Sequence, residues 1–188
     1  MFTLIVLRLI RDFMIEVGVS HINGFSPIVS THVQVLILGS MPSEASLIAN
    51  QYYGHSRNAF WPIMCTLFGM HPASYNQRVE LLIKNNIAVW DVLQSCSRLG
   101  SLDSKINPES IIVNNFIDFF TEYKKIKQVF FNGKLAEKVY QKRVLPYLSP
   151  HFSYLEYHCL PSTSPAYAAL SFNQKLEAWK AIKQSVVK

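Results

Sequence analysis

The sequence contains few cysteines, and their spacing excludes the common metal and disulfide motifs. The three cysteines, Cys65, Cys96 and Cys159, lie far apart and form no C-x-x-C pair. Such an odd, scattered set is typical of a reducing compartment, and it offers no ligand spacing for zinc or an iron–sulfur cluster. We therefore expect all three to be small buried hydrophobic side chains.

Long hydrophobic runs are absent as well. The apolar stretch at residues 3–10 is interrupted by Arg8 and is far too short to span a bilayer. No positively charged region precedes it and no small-residue cleavage site follows it, so residues 1–13 make a poor signal peptide. We treat residues 1–21 as an N-terminal extension, of which residues 1–13 are either an added strand or helix or lie upstream of a start at Met14, and we expect a cytoplasmic protein without membrane contact.

Acidic residues are scarce, with 12 Asp and Glu against 18 Lys and Arg, which gives a formal net charge of +6. This balance suits a polyanionic partner, although basic proteins with no nucleic-acid role share it. The apolar content of 49% and the lack of repeats or low-complexity tracts argue against disorder. A chain of 188 residues is long enough to bury a full core, and we expect one domain at residues 22–188.

Apolar runs alternate with amphipathic segments along this domain. This pattern predicts strands at residues 33–38, 87–92, 126–131 and 154–160, and helices at 59–67, 74–85, 108–123, 134–141 and 172–186. Residues 93–107 read as an irregular loop on the side of the active site. Strands that alternate with helices predict a single α/β domain of three layers, α/β/α, around a mostly parallel four-stranded sheet.

Each predicted strand runs into a turn of distinctive residues. These turns are Gly-Ser-Met-Pro at residues 39–42, Asp91, Asn132 with Gly133, and Leu-Pro-Ser-Thr-Ser-Pro at residues 160–165. Parallel strands place their carboxyl ends at one edge of the sheet, where ligands of open α/β sheets bind. We therefore expect the four turns to converge on one pocket.

Two segments carry a resemblance to a known family: GSMPSEASLIANQYYGHSRNAFW at residues 39–61 and LPSTSPAYAA at residues 160–169. They resemble the uracil-DNA glycosylase superfamily, and within it the hypoxanthine-DNA (deoxyinosine) glycosylases. The resemblance extends from about residue 22 to the C-terminus. It implies a four-stranded parallel sheet with helices on both faces, and excision of a damaged base that is flipped out of duplex DNA. It implies no metal and no cofactor, since the iron–sulfur branches need a fourth cysteine.

The resemblance assigns catalysis to Asn58. Other branches carry a catalytic Asp or Asn in the first turn, where this chain has Met41, which can neither orient water nor stabilise charge. We expect Ser40 and Met41 to form the pocket wall instead. The Asn58 amide can orient a water through its oxygen without titrating. The alternative is that Asn58 caps the helix that follows it, since Asn is favoured at that position.

Three further side chains are expected to bind the flipped base. Tyr53 is the predicted stacking platform, with Tyr52 as the other candidate and a core aromatic as the alternative. His55 could donate to the base or to a phosphate. Asp91 accepts hydrogen bonds only, so it would pair with N1–H of hypoxanthine and not with adenine, which has an acceptor at N1. Asp91 could equally cap the segment that follows it.

DNA contacts are expected from Arg57, which suits a phosphate, and from the hydroxyl-rich residues Ser162, Thr163 and Ser164 between two prolines. A plain surface loop is the alternative for the latter. Two positions depart from the family pattern, because Leu160 stands where some branches have His or Asn, and Ser56 stands where we expect Pro.

These residues predict a monofunctional glycosylase that removes hypoxanthine from double-stranded DNA containing deaminated bases and acts as a monomer. No lysine is placed for Schiff-base chemistry. Three alternatives stay open: a uracil or mismatch-specific glycosylase, a non-catalytic lesion-binding relative, and an unrelated hydrolase with Ser40 or Ser162 as nucleophile. The last lacks a G-x-S-x-G elbow.

Overall fold

The computed structural model of the protein describes residues 19–71, 74–100, 105–148 and 150–186. Most of the predicted N-terminal extension therefore lies outside the described residues. The strands are β1 (Val19–Asn23), β2 (Val35–Gly39), β3 (Ile87–Asp91), β4 (Leu93–Leu99), β5 (Ile112–Val113), β6 (Gln128–Asn132) and β7 (Glu156–Leu160). The helices are α1 (Glu44–Ala49), α2 (Phe60–Phe68), α3 (Tyr75–Lys84), α4 (Phe116–Glu122), α5 (Lys134–Arg143) and α6 (Phe172–Val186).

The central sheet has four parallel strands in the order β3-β2-β6-β7. Every residue of β2 and β3 is buried, which explains their continuous apolar sequences: both faces of these strands are covered. The chain passes from β2 to β3 on one side and later returns to β6 on the other side of β2. A crevice therefore opens beyond the carboxyl ends of β2 and β6, where strand order reverses.

Helices cover both faces of this sheet. On one face, Val35 and Ile37 pack with Phe60 of α2 and Trp179 of α6. On the other face, Leu36 and Leu38 share a core with side chains of α4 and α5, among them Phe120 and Tyr140. The predicted three-layer α/β/α domain with a parallel four-stranded sheet is thus confirmed.

A second, antiparallel sheet of order β1-β4-β5 was not predicted. The prediction of an irregular loop for residues 93–107 is wrong at its start, because β4 pairs with β1 from Val19 opposite Leu99 to Asn23 opposite Ser95, and with β5 at Leu93 opposite Val113. β1 also crosses the predicted boundary between residues 21 and 22. The division into extension and domain stays a prediction.

The long helix predicted at residues 108–123 is instead three short pieces. A 3₁₀ turn at Pro108–Ser110 is followed by β5 and then by α4. The two residues between β5 and α4 explain why no continuous helix forms. Asn114 Nδ2 donates to Asp91 O at 2.8 Å, and Asn115 Oδ1 caps α4 by accepting from Asp118 N. Within the described residues, no helix combines the length and apolar character needed to cross a membrane.

Candidate active site

A cleft lies beyond the carboxyl ends of the parallel strands, at the reversal point between β2 and β6. It encloses about 580 Å³, open solvent at its mouth included. Its walls come from all four predicted turns and from the segment before α2, in agreement with the expected convergence. The lining residues are Gly39, Ser40, Met41, Pro42, Ser43, Ser46, Tyr52, Tyr53, Asn58, Asp91, Asn132, Ser162, Thr163 and Ser164.

The turn after β2 forms a rigid wall of this cleft. Gly39 O accepts from Val92 N at 2.8 Å and Ser40 O accepts from Leu93 N at 3.1 Å, so the turn is tied to the residues that follow β3. Arg98 of β4 is fully buried and donates from Nη2 to Pro42 O at 2.7 Å. Sequence reasoning missed Arg98, because nothing in its neighbourhood indicates a buried guanidinium.

Asp91 occupies the space that a side chain at position 39 would need. A Cβ atom on Gly39 would overlap with Asp91 Oδ1 and would lie 3.3 Å from the Tyr53 hydroxyl. The Asp91 side chain is 3% exposed and its backbone carbonyl accepts from Asn114 Nδ2. Glycine at position 39 therefore lets a carboxylate and a phenol reach the floor of the cleft together.

Tyr53 is held in an unusual backbone conformation, with φ at +54°. Its ring stacks on Phe60, with centroids 3.9 Å apart and an interplanar angle of 24°. Burial first, and the Asp91 carboxylate second, raise the pKa of the Tyr53 phenol, so it stays protonated at neutral pH. A ring backed by Phe60 is a firm surface against which a planar base could stack.

Tyr52, the other candidate platform, has the bonds of a core residue. It is 4% exposed, and its hydroxyl donates to Phe25 O and Ser26 O at 3.3 and 3.2 Å. Its backbone carbonyl accepts from Trp61 Nε1 at 2.7 Å. These contacts fix the segment that carries Tyr53.

Asn58 lies one residue before Ala59, the N-cap position of α2, so the predicted capping position is wrong by one residue, and the catalytic role of Asn58 stays a prediction. Its Oδ1 accepts from Phe60 N at 3.0 Å at the start of α2, and its N–H donates to His55 O at 2.8 Å. The same residue lines the cleft. The neighbouring residues His55 and Arg57 lie outside the cleft lining, on an adjacent turn where Arg57 N donates to His55 Nδ1 at 3.1 Å.

The sequence of the chain matches a known protein family over most of its length. The sequence model described as the uracil DNA glycosylase superfamily matches residues 26–183. The chain belongs to this superfamily. The resemblance inferred from the two motifs is therefore confirmed, and it extends over most of the domain.

Two curated proteins and one solved structure are similar to this chain in sequence. A protein of Methanosarcina barkeri named hypoxanthine DNA glycosylase is 38% identical over 114 residues, which cover 60% of this chain and 71% of that protein. A protein of Methanosarcina acetivorans with the same name is 35% identical over 162 residues, 85% of this chain and 96% of its own length. A solution NMR structure from M. acetivorans, of a protein named as a candidate uracil DNA glycosylase, has a TM-score of 0.70 and 29% identity and covers 87% of this chain and 99% of that one.

The loop after β7 of this superfamily member is braced from two sides. Asn132, at the end of β6, donates from Nδ2 to Thr163 Oγ1 and accepts at Oδ1 from Thr163 N, both at 2.8 Å. Trp179 of α6 donates from Nε1 to Pro161 O at 2.9 Å. Sequence reasoning noted Asn132 as a strand-end residue but did not assign it to the site, although an Asn before a Gly at a strand end was the available signal.

Ser162 and Ser164 line the cleft on either side of Thr163. Ser164 N donates to Ser162 Oγ at 3.2 Å. Gly133, with φ at +100°, lets Ser162 approach closely, since a Cβ atom there would lie 2.9 Å from Ser162 Cβ. Leu160, the departure from the family pattern, is 7% exposed and packs in the core, where an apolar side chain suits its surroundings.

The three cysteines do not line the cleft. Cys65 and Cys96 are buried, as predicted, and Cys159 is half-buried; burial first, and Glu137 second, raise the pKa of the Cys159 thiol to about 11. Within the part of the chain that the structure describes, no lysine lines the cleft and no group of three or more His, Cys, Asp and Glu could hold a metal ion.

Proposed function

We propose that the chain is a monofunctional DNA glycosylase that hydrolyses the N-glycosidic bond of deoxyinosine and leaves an abasic site. The observation that carries this proposal is the presence of Asn58 and Asp91 in one cleft at the strand edge. The names of the two curated relatives support hypoxanthine as the base. Double-stranded DNA with deaminated bases as substrate, a monomeric state and a cytoplasmic location belong to the same proposal.

The reaction sets three demands on the site. Water attacks C1′ of the deoxyribose while the bond to N9 breaks, and the base leaves with the electron pair of that bond. Positive charge builds on the sugar and negative charge on the base, so the enzyme must place the water and hold the base in a dry, fixed environment. The Asn58 amide oxygen has a second lone pair beyond the one used by Phe60 N, and that lone pair can orient the water.

Base recognition falls to Tyr53 and Asp91. Stacking on an aromatic ring contributes roughly 1–3 kcal/mol and accepts any base. Selectivity must therefore come from the edge of the base. An ionised Asp91 accepts from N1–H of hypoxanthine, whereas adenine would bring an acceptor against an acceptor. His55 and Arg57, next to the cleft, are assigned to contacts with the DNA outside the base pocket.

One assay tests this function. The protein is incubated without metal with labelled duplexes that carry inosine, uracil or only normal bases, and abasic sites are then cleaved with alkali. We expect scission that depends on inosine and falls by roughly 10²–10⁴-fold in Asn58→Ala, the range for loss of a positioned catalytic group. Asn107→Ala is the matched control, because Asn107 Oδ1 also accepts from the N–H two residues later, at 3.1 Å, but lies outside the cleft.

A second substitution separates catalysis from the hydrogen bond to Phe60 N. In Asn58→Ser, the hydroxyl can still accept from Phe60 N at the start of α2, so most of the roughly 1 kcal/mol that such a hydrogen bond contributes to the free energy of unfolding is retained. The amide is lost, and we expect excision to fall as in Asn58→Ala. A serine variant with wild-type excision would show that Asn58 only stabilises the start of α2.

The same assay separates the alternatives. Uracil is the second candidate substrate, because the solved structure with 29% identity is named as a candidate uracil DNA glycosylase. Scission that depends on uracil and not on inosine would support it. Binding to lesions without scission would indicate a sensor, and no response to DNA would indicate an unrelated hydrolase.

A further inference from the structure

The loop after β7 meets two other parts of the cleft at a single residue, Thr163. Its N–H donates to Asn132 Oδ1 and its Oγ1 accepts from Asn132 Nδ2, both at 2.8 Å. Its carbonyl oxygen accepts from Ala59 N at 3.0 Å. The residue is 1% exposed. Thr163 thus joins the end of β6 to the start of α2, with its backbone and its hydroxyl both bonded inside the protein.

The bond to Ala59 bears directly on Asn58. Asn58 N–H is fixed by His55 O at 2.8 Å, and the next peptide N–H, that of Ala59, is fixed by Thr163 O at 3.0 Å. The backbone of Asn58 is therefore fixed by two hydrogen bonds. The bond to His55 lies within the turn that carries Asn58, whereas the bond to Thr163 comes from a distant loop. This loop, after β7, is held at Pro161 by Trp179 Nε1 and at Thr163 itself by the two bonds to Asn132.

We infer that Thr163 is a positioning residue that sets the backbone of Asn58, with Asn132 as its partner, and that its hydroxyl does not bind a DNA phosphate. The inference rests on the proposed function of Asn58. It replaces the expectation that Ser162, Thr163 and Ser164 all face DNA, and leaves the two serines for that task.

The physical reason is that the reaction rate is sensitive to small displacements of the group that positions the water. A displacement of about 1 Å in a group that positions water can lower the rate about 10²-fold. Without the Thr163 hydroxyl, Asn132 Nδ2 loses its acceptor and the loop keeps one bond to β6 in place of two. Ala59 N donates to the carbonyl oxygen of Thr163 itself, so a displacement of the loop also displaces the backbone next to Asn58.

The experiment compares Thr163→Val, which keeps the shape and removes the hydroxyl, with Thr163→Ser, which keeps the hydroxyl. Single-turnover excision and the Kd for an inosine duplex are measured for each. We expect Thr163→Val to lower the single-turnover rate at least tenfold with less than a twofold change in Kd, and Thr163→Ser to restore the rate. Thr121→Val is the matched control, since Thr121 Oγ1 donates to Ile117 O at 2.7 Å on α4, away from the cleft.

Two results would overturn the inference. A Thr163→Val protein with wild-type rate would show that the hydroxyl positions nothing, and one with weakened Kd but an unchanged rate would make it a DNA contact. If Thr163→Val does not fold, Thr163→Ala also removes the hydroxyl while the backbone bonds to Asn132 and Ala59 stay available, and the same expectations hold.

Amide hydrogen exchange gives a readout that does not need activity. In Thr163→Val, we expect protection of the Ala59 N–H to fall at least tenfold, while that of Ile63, which donates to Ala59 O inside α2, serves as the internal reference. If Ala59 protection is unchanged in Thr163→Val, the Thr163 hydroxyl does not position the backbone of Asn58 and Ala59, whether or not the enzyme is active. If the wild-type protein is inactive but Ala59 protection falls in the variant, the proposed function is overturned and the positioning role of Thr163 is retained.

Discussion

At the scale of residues, Asn58 shows that a structural hydrogen bond and a place in a cleft are compatible. The sequence offered capping and catalysis as alternatives. An amide oxygen has two lone pairs, and the bond to Phe60 N occupies one of them. This bond at the start of α2 therefore fixes the amide plane and orients the second lone pair. The sequence predicted the residue, but the hydrogen bond that aligns it depends on how the chain turns between His55 and Phe60.

Asp91 is the residue on which base selectivity is expected to depend. In Asp91→Asn, the amide can present a donor to N1 of adenine, so the preference for hypoxanthine over adenine should fall roughly tenfold to a hundredfold, the effect of about 1–3 kcal/mol of hydrogen-bond discrimination. The measurement is the ratio of single-turnover excision rates on matched inosine and adenine duplexes. Full inosine activity and an unchanged ratio in this variant would show that Asp91 does not set base selectivity.

At the scale of elements, β4 shows why part of the fold escaped prediction. The strand LQSCSRL carries Ser95, Ser97 and Arg98 at buried positions, so its sequence has no apolar alternation. Its polar groups are satisfied by distant partners: Ser97 N donates to Ser110 Oγ at 2.7 Å, and Arg98 binds Pro42 O. Such partners become visible only in three dimensions.

Helix α1 was missed for a different reason. It has only six residues, too few for a 3.6-residue period to show. Its N-cap was present in the sequence, since Ser43 Oγ accepts from Ser46 N at 3.2 Å. Helix α6, with fifteen residues and an apolar stripe, was predicted with its bounds correct. Length decided which helices the pattern could reveal.

The contact between the ends of β2 and β3 leads to a prediction for Gly39. In Gly39→Ala, the new Cβ would overlap with Asp91 Oδ1, so the carboxylate must move while the strands stay paired. We expect inosine excision to fall at least tenfold, with a loss of roughly 1–3 kcal/mol in the free energy of unfolding, the usual range for overpacking. Single-turnover kinetics and urea unfolding measure the two effects.

A double substitution controls this prediction. If the overlap with Asp91 is the cause, adding Gly39→Ala to Asp91→Ala should change excision little, because the obstructing carboxylate is already gone. Additive losses in the double variant would instead point to a backbone effect at position 39.

At the scale of the whole molecule, the site follows from topology. Alternating strands and helices were enough to predict that strand ends converge at one edge of the sheet. They did not reveal on which side of β2 the strand β6 lies, and this choice creates the crevice between Gly39 and Asn132. Strand order depends on long-range packing, so the sequence could place Asn132 at the edge of the sheet but could not show that its side chain binds Thr163.

The same topology places some exposed basic residues far from the cleft and others beside it. Lys124, Lys125 and Lys127 precede β6 and are exposed at the edge of the sheet opposite the cleft, whereas Arg57 is exposed beside the cleft. A five-residue strand spans about 16 Å, which is twice the Debye length of about 8 Å at physiological ionic strength. Charge at the far edge should therefore contribute little to binding of a duplex at the cleft.

Salt dependence of duplex binding tests this separation. In Arg57→Gln, the loss of one phosphate contact should weaken binding equally for inosine and normal duplexes and reduce the slope of log Kobs against log salt by about 1. Lys125→Gln removes the same charge at the opposite edge, and we expect its slope to match the wild type. Fluorescence anisotropy between about 50 and 200 mM salt covers the range in which such contacts change affinity most. If both variants lower the slope equally, the duplex is held by the net charge of the molecule and not by the edge that carries the cleft.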